Sequence, residues 1–277
     1  MKIAFQGERG AYSELAAKAF FNSSVGLLPL PRFKDVFNAV KSGKAYKGIL
    51  PIENSLAGSI HENYDSLLKY KLHITGEVKL RISHNLIALK GEKLSEISKI
   101  YSHPQALSQC SNYLASMKNT EQVPFADTAG AAQYIKENKI KGAAAIASSQ
   151  AAKDYRMNIL KRSIEDNNKN YTRFIILSKT KGRTPKGTKM KTSIVFSLKN
   201  MPGALFKSLS VFALRDIDLF KIESRPLHGR LWKYLFYLDF QGSIKQKKSR
   251  LALEHLNEIA NFVQILGSYP VGPEIRP

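Results

Sequence analysis

The chain has 277 residues, of which 43% are hydrophobic and 23% are charged, and its formal net charge is +21. This composition is typical of a globular protein with a buried core and excludes a disordered chain, while the length suggests two domains. No apolar run approaches the roughly 20 residues that a membrane-spanning helix needs. The segment Met1–Phe5 lacks the features of a signal peptide, so we expect no membrane partner.

The positive charge raises the possibility of nucleic-acid binding. It is spread along the chain, however, and the densest basic cluster is Lys245–Arg250. We therefore expect a solvated, lysine-rich surface and no nucleic-acid partner. The one cysteine, Cys110, cannot form an internal disulfide and indicates a reducing, cytoplasmic location. Its spacing from Leu107 and Leu114 predicts a buried helix face, which favours a packing role for Cys110 over a nucleophilic one.

From residue 1 to about 178, predicted strands and helices alternate. This order is typical of an α/β fold with a mainly parallel sheet. The helices are expected near residues 12, 60, 104, 127 and 148. The predicted strands are Lys2–Phe5, Gly48–Ile52, Val78–Ile82, Lys99–Tyr101, Val123–Phe125 and Gly142–Ile146.

Residues 179–191 are polar, basic and contain glycine and proline, which predicts a linker. After it the pattern starts again. A strand around Ile194–Leu198 precedes a helix opened by Pro202, two paired strands lie on either side of His228-Gly229, and a helix and a last strand follow. The order βαββαβ predicts a ferredoxin-like domain over residues 192–277.

Four segments carry polar residues where strands meet helices or loops. The turn Gly7–Ser13 lacks two of the three glycines of a dinucleotide fingerprint, so we expect no nucleotide cofactor. Asn54 and Ser55 follow a strand and are able to hydrogen-bond an anion, although they are equally suited to shaping the turn. Ser102 and His103 precede a helix, where His103 is a group that titrates near neutral pH.

The fourth segment is Asn170–Leu177, in which a polar loop enters an apolar strand. Arg173 at the start of this strand is suited to bidentate pairing with a carboxylate, and Thr172 beside it offers a hydroxyl. Ligands of open α/β sheets bind at the carboxyl ends of the strands. Together the four segments predict a site for a small anion. The histidines lack metal-ligand spacing, so we expect no metal.

These motifs together resemble prephenate dehydratase. In the first region the matching stretches are Gly10–Glu14, Pro51–Ser55, Ser102–Leu107, Asp127–Ala132 and Asn170–Phe174. In the second region they are Gly203-Ala204-Leu205 and Glu223-Ser224-Arg225-Pro226, which match the ACT regulatory domain attached to that enzyme. The resemblance covers essentially the whole chain in the right order.

The resemblance implies a catalytic domain over residues 1–178, with two lobes similar to those of periplasmic binding proteins. The expected lobes are residues 1–75 with 155–178, and residues 76–154. It also implies an ACT domain over residues 192–277, a homodimer or homotetramer, and L-phenylalanine as an allosteric inhibitor. The inhibitor would contact the two ACT stretches, namely Gly203, Ala204, Leu205, Glu223, Ser224, Arg225 and Pro226.

The resemblance implies that prephenate is the substrate and that no cofactor is needed, since formation of an aromatic ring drives the loss of CO2 and water. Thr172 would be the catalytic residue that bonds the departing oxygen. Because a threonine hydroxyl is a weak acid, Glu53 or His103 is the candidate proton source. The implied substrate-binding residues are Asn54, Ser55, Ser102, Asn170, Arg173 and Phe174. Arogenate dehydratase and a non-catalytic amino-acid sensor remain the alternatives.

Overall fold

The structure is a computed structural model that describes residues 1–21, 25–182, 185, 187–226 and 234–276. The chain divides into two compact units. The first unit holds residues 1–66 and 78–175 and the residues from 273 on, and the second holds residues 67–77 and 176–272.

The first lobe of the first unit is built on parallel strand pairs. Its elements in chain order are β1 (Lys2–Gln6), α1 (Tyr12–Phe21), β2 (Gly26–Leu30), α2 (Phe33–Ser42), β3 (Lys47–Asn54), β4 (Gly58–Ser59), α3 (His61–Tyr70) and β5 (His73–Arg81). Residues 67–77, at the end of α3 and the start of β5, are counted with the second unit. Strand β1 pairs in parallel with both β2 and β3. Its central residues Ile3, Ala4 and Phe5 are fully buried, so the apolar run at the start of the chain forms the middle of this lobe.

The second lobe has a sheet of its own, with strand order β10-β6-β9-β7-β8. Its elements are β6 (Asn85–Ala88), a 3₁₀ turn (Leu94–Glu96), β7 (Lys99–Ser102), α4 (Pro104–Ser108), α5 (Ser111–Ser116), β8 (Glu121–Pro124), α6 (Thr128–Glu137), β9 (Ala143–Ala147), α7 (Ser149–Asp154) and β10 (Asn158–Lys161). Strands β7, β8 and β9 are parallel, whereas β6 and β10 are antiparallel to their neighbours.

Cys110 lies in the core of this second lobe with Leu107 and Leu114, as predicted. The single helix expected there is two short helices instead, because α4 ends at Ser108 and Cys110 itself precedes α5. Burial raises the pKa of the Cys110 thiol far above its usual range, so this side chain is an apolar packing group and not a nucleophile.

The chain crosses between the lobes later than expected. It leaves the first lobe between Arg81 and Asn85, not near residue 75, since β5 belongs to the first sheet. It returns between Lys161 and the strand β11 (Tyr171–Ser178), not near residue 155, since β10 pairs with β6 in the second sheet. The prediction of a two-lobed α/β architecture is confirmed.

The turn that follows β1 is packed tightly against the second lobe. Gly10 has a φ of +83°, and a Cβ atom added there would lie 2.5 Å from Ala151 Cα. Ser148 Oγ, which caps α7, donates a hydrogen bond of 2.6 Å to the Gly10 carbonyl oxygen. Glycine is therefore required at position 10 both for its backbone conformation and for this close approach.

The second unit has the expected βαββαβ order. Its elements are β12 (Met190–Leu198), α8 (Ala204–Ala213), β13 (Leu219–Pro226), β14 (Tyr234–Gln241), α9 (Lys247–Ile259) and β15 (Ala260–Pro270). The sheet order is β13-β14-β12-β15, with every neighbouring pair antiparallel. The predicted turn at His228-Gly229 lies outside the described residues.

The domain boundaries differ from the predicted ones in two ways. Met190 and Lys191 belong to β12 and not to the linker, because they pair with β15. The end of the chain is not part of the second unit, because β16 (Glu274–Ile275) pairs in parallel with β5 at Lys79 and Leu80. The first-lobe sheet has the order β16-β5-β11-β3-β1-β2, with β4 beside β3.

The second unit contains a buried ion pair. Lys191 Nζ lies 2.8 and 2.9 Å from the two carboxylate oxygens of Glu77, and the Gly272 N–H donates to the same carboxylate at 3.2 Å. Lys191 and Glu77 are 4% and 0% exposed, so each charge depends on the other for its stability.

Candidate functional site

A cavity of about 300 Å³ lies between the two lobes of the first unit. It is lined by residues from the ends of β1 and β3, from the starts of α1, α2 and α6, from the segments before α3 and after β5, from α4 and the residues that flank it, and from β11. The described lining residues are Gln6, Gly7, Ala11, Tyr12, Ser13, Phe33, Pro51, Asn54, Ile60, Ile82, His84, His103, Gln105, Ala106, Gln109, Ala126, Asp127, Thr128, Thr172 and Phe174.

Thr172 and Asn54 meet at the wall of this cavity. Asn54 Nδ2 donates a hydrogen bond of 3.0 Å to Thr172 Oγ1. The orientation of the Asn54 amide is fixed, because its Oδ1 accepts hydrogen bonds from the backbone N–H groups of Leu56 and Ala57 at 3.1 and 2.9 Å. Thr172 therefore accepts from Asn54, and its own hydroxyl proton remains available for a group in the cavity.

A chain of side-chain hydrogen bonds continues from Asn54 to Gln109. Asn54 Nδ2 also donates to Asn170 Oδ1 at 2.7 Å, and Asn170 Nδ2 donates to Gln109 Oε1 at 2.9 Å. Asn170 is fully buried and does not line the cavity, so it positions Asn54 and Gln109, which do. With Oε1 occupied in this way, the Gln109 amide presents its NH₂ group elsewhere, and that group makes no hydrogen bond with any described residue.

The series of hydrogen-bonded side chains ends at His84 and Tyr12. His84 Nε2 lies 3.1 Å from Gln109 Oε1, and His84 Nδ1 lies 3.1 Å from the Tyr12 hydroxyl, which donates to the Ser83 carbonyl oxygen at 2.6 Å. Since Gln109 Oε1 is an acceptor, His84 carries a proton on Nε2. Burial lowers the pKa of His84, so the ring is neutral at pH 7.

Arg173 does not line the cavity, contrary to the prediction that it grips a substrate carboxylate. Successive side chains of a strand point to opposite faces, and Thr172 and Phe174 occupy the cavity face of β11. Arg173 Nε lies 3.3 Å from Glu53 Oε2, so the guanidinium is neutralised by a carboxylate of the protein. Phe174 forms part of the apolar wall, as expected.

Ser55 and Ser102 are also absent from the cavity wall, and both have structural partners. Ser55 Oγ donates to the Lys169 carbonyl oxygen at 3.1 Å and accepts from the Tyr171 N–H at 2.9 Å, which joins the end of β3 to the start of β11. Ser102 is fully buried and donates to the Ile146 carbonyl oxygen at 2.7 Å. The structure therefore assigns neither serine to substrate.

Neither candidate proton source fits that role. Glu53 is paired with Arg173 and does not line the cavity. His103 does line it, but its Nδ1 accepts from the Gln105 N–H at 3.2 Å, which caps α4. Burial lowers the pKa of His103, so this ring is neutral at pH 7 and offers its Nε2–H as a donor.

Tyr12, His84, Gln109 and Asp127 line the cavity but were not candidates from sequence. Tyr12 begins α1 and Gln109 directly follows α4, so in the sequence both fit the ordinary pattern of an amphipathic helix. His84 lies where the chain crosses between the lobes, three residues after β5. Asp127 fits the pattern of a helix cap, and its Oδ1 does accept from the Gly130 N–H at 2.7 Å. Only three-dimensional proximity distinguishes these residues.

A second pocket lies within the second unit, with a volume of about 570 Å³. Three of the predicted phenylalanine-binding residues, Gly203, Ala204 and Leu205, line it together with Tyr234 and Phe236. The other predicted stretch does not line it. Residues Glu223, Ser224, Arg225 and Pro226 lie on β13, where Ser224 pairs with Phe236.

The described residues contain no group of three or more potential metal ligands. Within the same residues, no helix is long and apolar enough to cross a membrane.

Comparison with known proteins identifies close relatives over the whole chain. The family model described as prephenate dehydratase matches residues 3–182. The chain is 46% identical to arogenate dehydratase/prephenate dehydratase 2, chloroplastic, from Arabidopsis thaliana, over 98% of this chain and 73% of that protein.

Two solved structures have a TM-score of 0.90. One is a prephenate dehydratase from Arthrobacter aurescens in complex with L-Phe, which is 30% identical over 98% of this chain and 90% of its own. The other is GqqA, described as a novel type of quorum quenching acylase, which is 34% identical over 99% of both chains.

The prediction of a cytoplasmic location is wrong by this comparison. Three similar relatives from Arabidopsis thaliana are named as chloroplastic proteins. The lone cysteine indicates a reducing environment, and that property does not identify a compartment.

Proposed function

Because this chain belongs to the prephenate dehydratase family, we propose that its inter-lobe cavity binds prephenate and releases phenylpyruvate. In this reaction the bond to the ring carboxylate breaks, its electrons enter the ring, and the C–O bond at the opposite ring carbon breaks. One proton from the medium converts the departing hydroxide to water. The products are CO2, water and an aromatic acid, and no electrons are gained or lost overall.

The observation that supports the proposal most strongly is the orientation of Thr172. Its Oγ1 accepts from Asn54, so its hydroxyl proton is directed away from the amide and is available to the leaving oxygen. A donor aimed at the atom where negative charge develops stabilises the transition state more than the ground state. This role requires no unusual acidity of the threonine hydroxyl.

The neutral donors of the cavity are suited to holding the substrate. Gln109 Nε2 and His103 Nε2 provide N–H groups, and the apolar side chains of Phe174, Ile60 and Ile82 provide a surface for the ring. Arg173 takes a different part in this proposal. Its pairing with Glu53 stabilises the junction of β3 and β11, on which Asn54 and Thr172 are carried.

An absorbance assay of prephenate turnover tests this function. The wild type is expected to form phenylpyruvate, and Thr172→Val to lower kcat by ~10²–10³, the usual cost of removing one charge-stabilising donor. Thr172→Ser keeps the hydroxyl and serves as the matched control. A folded Thr172→Val variant with near-normal kcat would contradict the proposed role. A wild type that converts neither prephenate nor arogenate would favour the amino-acid sensor, whereas turnover of arogenate alone would favour arogenate dehydratase.

We propose further that the second unit is an ACT domain through which L-phenylalanine inhibits the enzyme. The pocket at Gly203, Ala204 and Leu205 supports this, as does the Arthrobacter relative solved with L-Phe. The variant Ala204→Trp fills the pocket and is expected to abolish inhibition by phenylalanine while sparing basal turnover. Equal inhibition of this variant and the wild type would contradict the assignment.

A homodimer or homotetramer is proposed on the basis of the outer strands of the second unit. Edge strands with exposed apolar side chains pair readily with another chain. Phe220 and Ile222 on β13 are 45% and 41% exposed, and Ile265 on β15 is 40% exposed. Sedimentation equilibrium measures the oligomeric state directly, and a monomer at micromolar concentration would contradict the proposal.

A further inference from the structure

His84 lies where the chain first crosses between the lobes, and each of its polar groups has a hydrogen-bond partner. Its backbone N–H donates to Glu165 Oε2 at 2.9 Å, and its carbonyl oxygen accepts from the Ile164 N–H at 2.9 Å. Its ring meets the Tyr12 hydroxyl at Nδ1 and Gln109 Oε1 at Nε2, each at 3.1 Å. The residue is 2% exposed, so both its backbone and its ring are held in one orientation.

Gln109 is held by the same returning segment of the chain. Its carbonyl oxygen accepts from the Asp166 N–H at 2.8 Å, next to the two residues that bind the His84 backbone. At its side chain two donors meet at one oxygen, because Asn170 Nδ2 and His84 Nε2 lie 2.9 and 3.1 Å from Gln109 Oε1. An amide oxygen has two lone pairs, so both are used and the NH₂ group is left to the cavity that Gln109 lines.

The direction of the whole series of hydrogen-bonded side chains is fixed at its far end. Two backbone N–H groups occupy Asn54 Oδ1, so Asn54 donates to Asn170, and Asn170 then donates to Gln109. Because the last atom of the series, Gln109 Oε1, is an acceptor, His84 completes it only with a proton on Nε2. The other tautomer would place two acceptors face to face, or turn the amide oxygen of Gln109 toward the cavity.

The orientation of this amide matters because the wall offers no cation to the substrate. Among the described lining residues there is no lysine or arginine, so the carboxylates of the substrate depend on neutral N–H and O–H donors. An NH₂ group makes a charge-assisted hydrogen bond with a carboxylate, whereas an amide oxygen in the same place repels it.

We propose that His84 is a positioning residue, whose Nε2–H orients the Gln109 amide so that its NH₂ group binds the side-chain carboxylate of the substrate. The inference rests on the proposed dehydratase function and deepens it. A donor on the ring carboxylate would stabilise the charge that the loss of CO2 must remove, so the NH₂ group is assigned to the carboxylate that the reaction leaves unchanged. Such binding is equal in the ground state and the transition state, so its loss raises KM and spares kcat.

His84→Asn and His84→Gln form a matched pair of variants. Asparagine reaches only the position of Nδ1, beside Tyr12, whereas glutamine reaches the position of Nε2 and restores an N–H donor to Gln109. For His84→Asn, KM is expected to rise by roughly 3- to 10-fold, the range for one lost hydrogen bond, with kcat within about twofold of the wild type. His84→Gln is expected to keep both values within about twofold. The control His255→Asn, on α9 and outside both pockets described above, should change neither.

A double-mutant cycle with Gln109→Met distinguishes positioning from a general effect on the fold. Methionine has the length of glutamine without its amide, so KM of Gln109→Met is expected to exceed the wild-type value. In that background, His84→Asn should raise KM by less than about twofold, since His84 has no amide left to orient. The same rise in both backgrounds, or equal rises for His84→Asn and His84→Gln, would overturn the inference and leave the dehydratase function intact.

The tautomer of His84 is also measured in the wild type, from the ¹⁵N chemical shifts of its ring at pH 7. A proton on Nε2 is expected, and a proton on Nδ1 would overturn the inference even where a variant does not fold. Thermal melting shows which variants are folded, and the kinetics use whichever of prephenate and arogenate the wild type converts. A wild type that converts neither would refute the proposed function, and with it this inference.

Discussion

The direction of the hydrogen bond between Asn54 and Thr172 is open to a direct test with Asn54→Asp. This change keeps the shape of the side chain and the acceptor that binds the backbone N–H groups of Leu56 and Ala57. It replaces the NH₂ donor with a second acceptor oxygen, 3.0 Å from Thr172 Oγ1 and 2.7 Å from Asn170 Oδ1. The Thr172 proton would then be drawn to the new carboxylate.

When the new carboxylate accepts the Thr172 hydroxyl proton, that proton is no longer available to the leaving oxygen of the substrate, so kcat is expected to fall. Removing one donor from a developing negative charge costs ~10²–10³ in kcat. The Asn54→Ala variant takes away the amide without competing for the Thr172 proton, so its kcat is expected to fall by a smaller factor, about tenfold. The predicted order of kcat is wild type, then Asn54→Ala, then Asn54→Asp, although the aspartate variant preserves more of the local structure.

Steady-state kinetics on folded variants, with arogenate and prephenate as substrates, gives the kcat values. In Asn54→Asp a carboxylate oxygen faces the Asn170 Oδ1 acceptor, and this contact is expected to lower the free energy of unfolding by ~1–3 kcal/mol. Circular dichroism and thermal melting therefore accompany the assay, to show that each variant is folded. A kcat for Asn54→Asp that equals the wild-type value, or exceeds the Asn54→Ala value, would refute the assignment of Asn54 as the donor and Thr172 as the acceptor.

Three further predictions concern ionisable groups. Arg173→Gln and Glu53→Gln are each expected to lower Tm and to leave KM nearly unchanged. The Tm of the double variant should fall by less than the sum of the two single decreases. A large rise in KM for Arg173→Gln alone would restore a direct role of Arg173 in substrate binding. Lys191→Met should cost ~3–5 kcal/mol in a denaturant titration because it removes the ammonium group that pairs with the buried Glu77 carboxylate. The added change Glu77→Leu should recover most of this cost, and additive losses would contradict the pairing. Because burial lowers the pKa of His84 below its unfolded value, the unfolded state takes up a proton first, so stability should fall as the pH drops below about 6.5, the reference value. His84→Gln should make that dependence shallower, and an unchanged slope in Tm against pH would count against a buried neutral ring.

Elements with a strong apolar pattern are predictable from this sequence. Strands β1 and β9 are continuous apolar runs and are buried along most of their length. Strand β2 is not predicted, since it includes Pro29 and is only partly buried at the edge of its sheet. Helix α2 is missed although Val36, Phe37 and Val40 have helical spacing and are fully buried. The spacing of these three residues is therefore sufficient to predict α2.

The site shows a different limit. Thr172 and Arg173 are neighbours in sequence, and the motif suggests that they act together on one ligand. The alternation of a strand separates them, because Thr172 faces the cavity and Arg173 faces Glu53. The alternation itself is predictable, but which face of β11 meets the cavity depends on how the two lobes pack. Asp127 and His84 were missed for the same reason.

The way the two units share the chain limits how the protein can be divided experimentally. The second unit is inserted between β11 and β16 and also contains residues 67–77, so neither unit is a single continuous segment. A fragment that stops after β11 lacks β16, which is one of the two strands that pair with β5. A protease that cuts at the polar stretch near residue 180 leaves two pieces, each containing parts of both units. Truncated forms are therefore poor substitutes for the intact polypeptide.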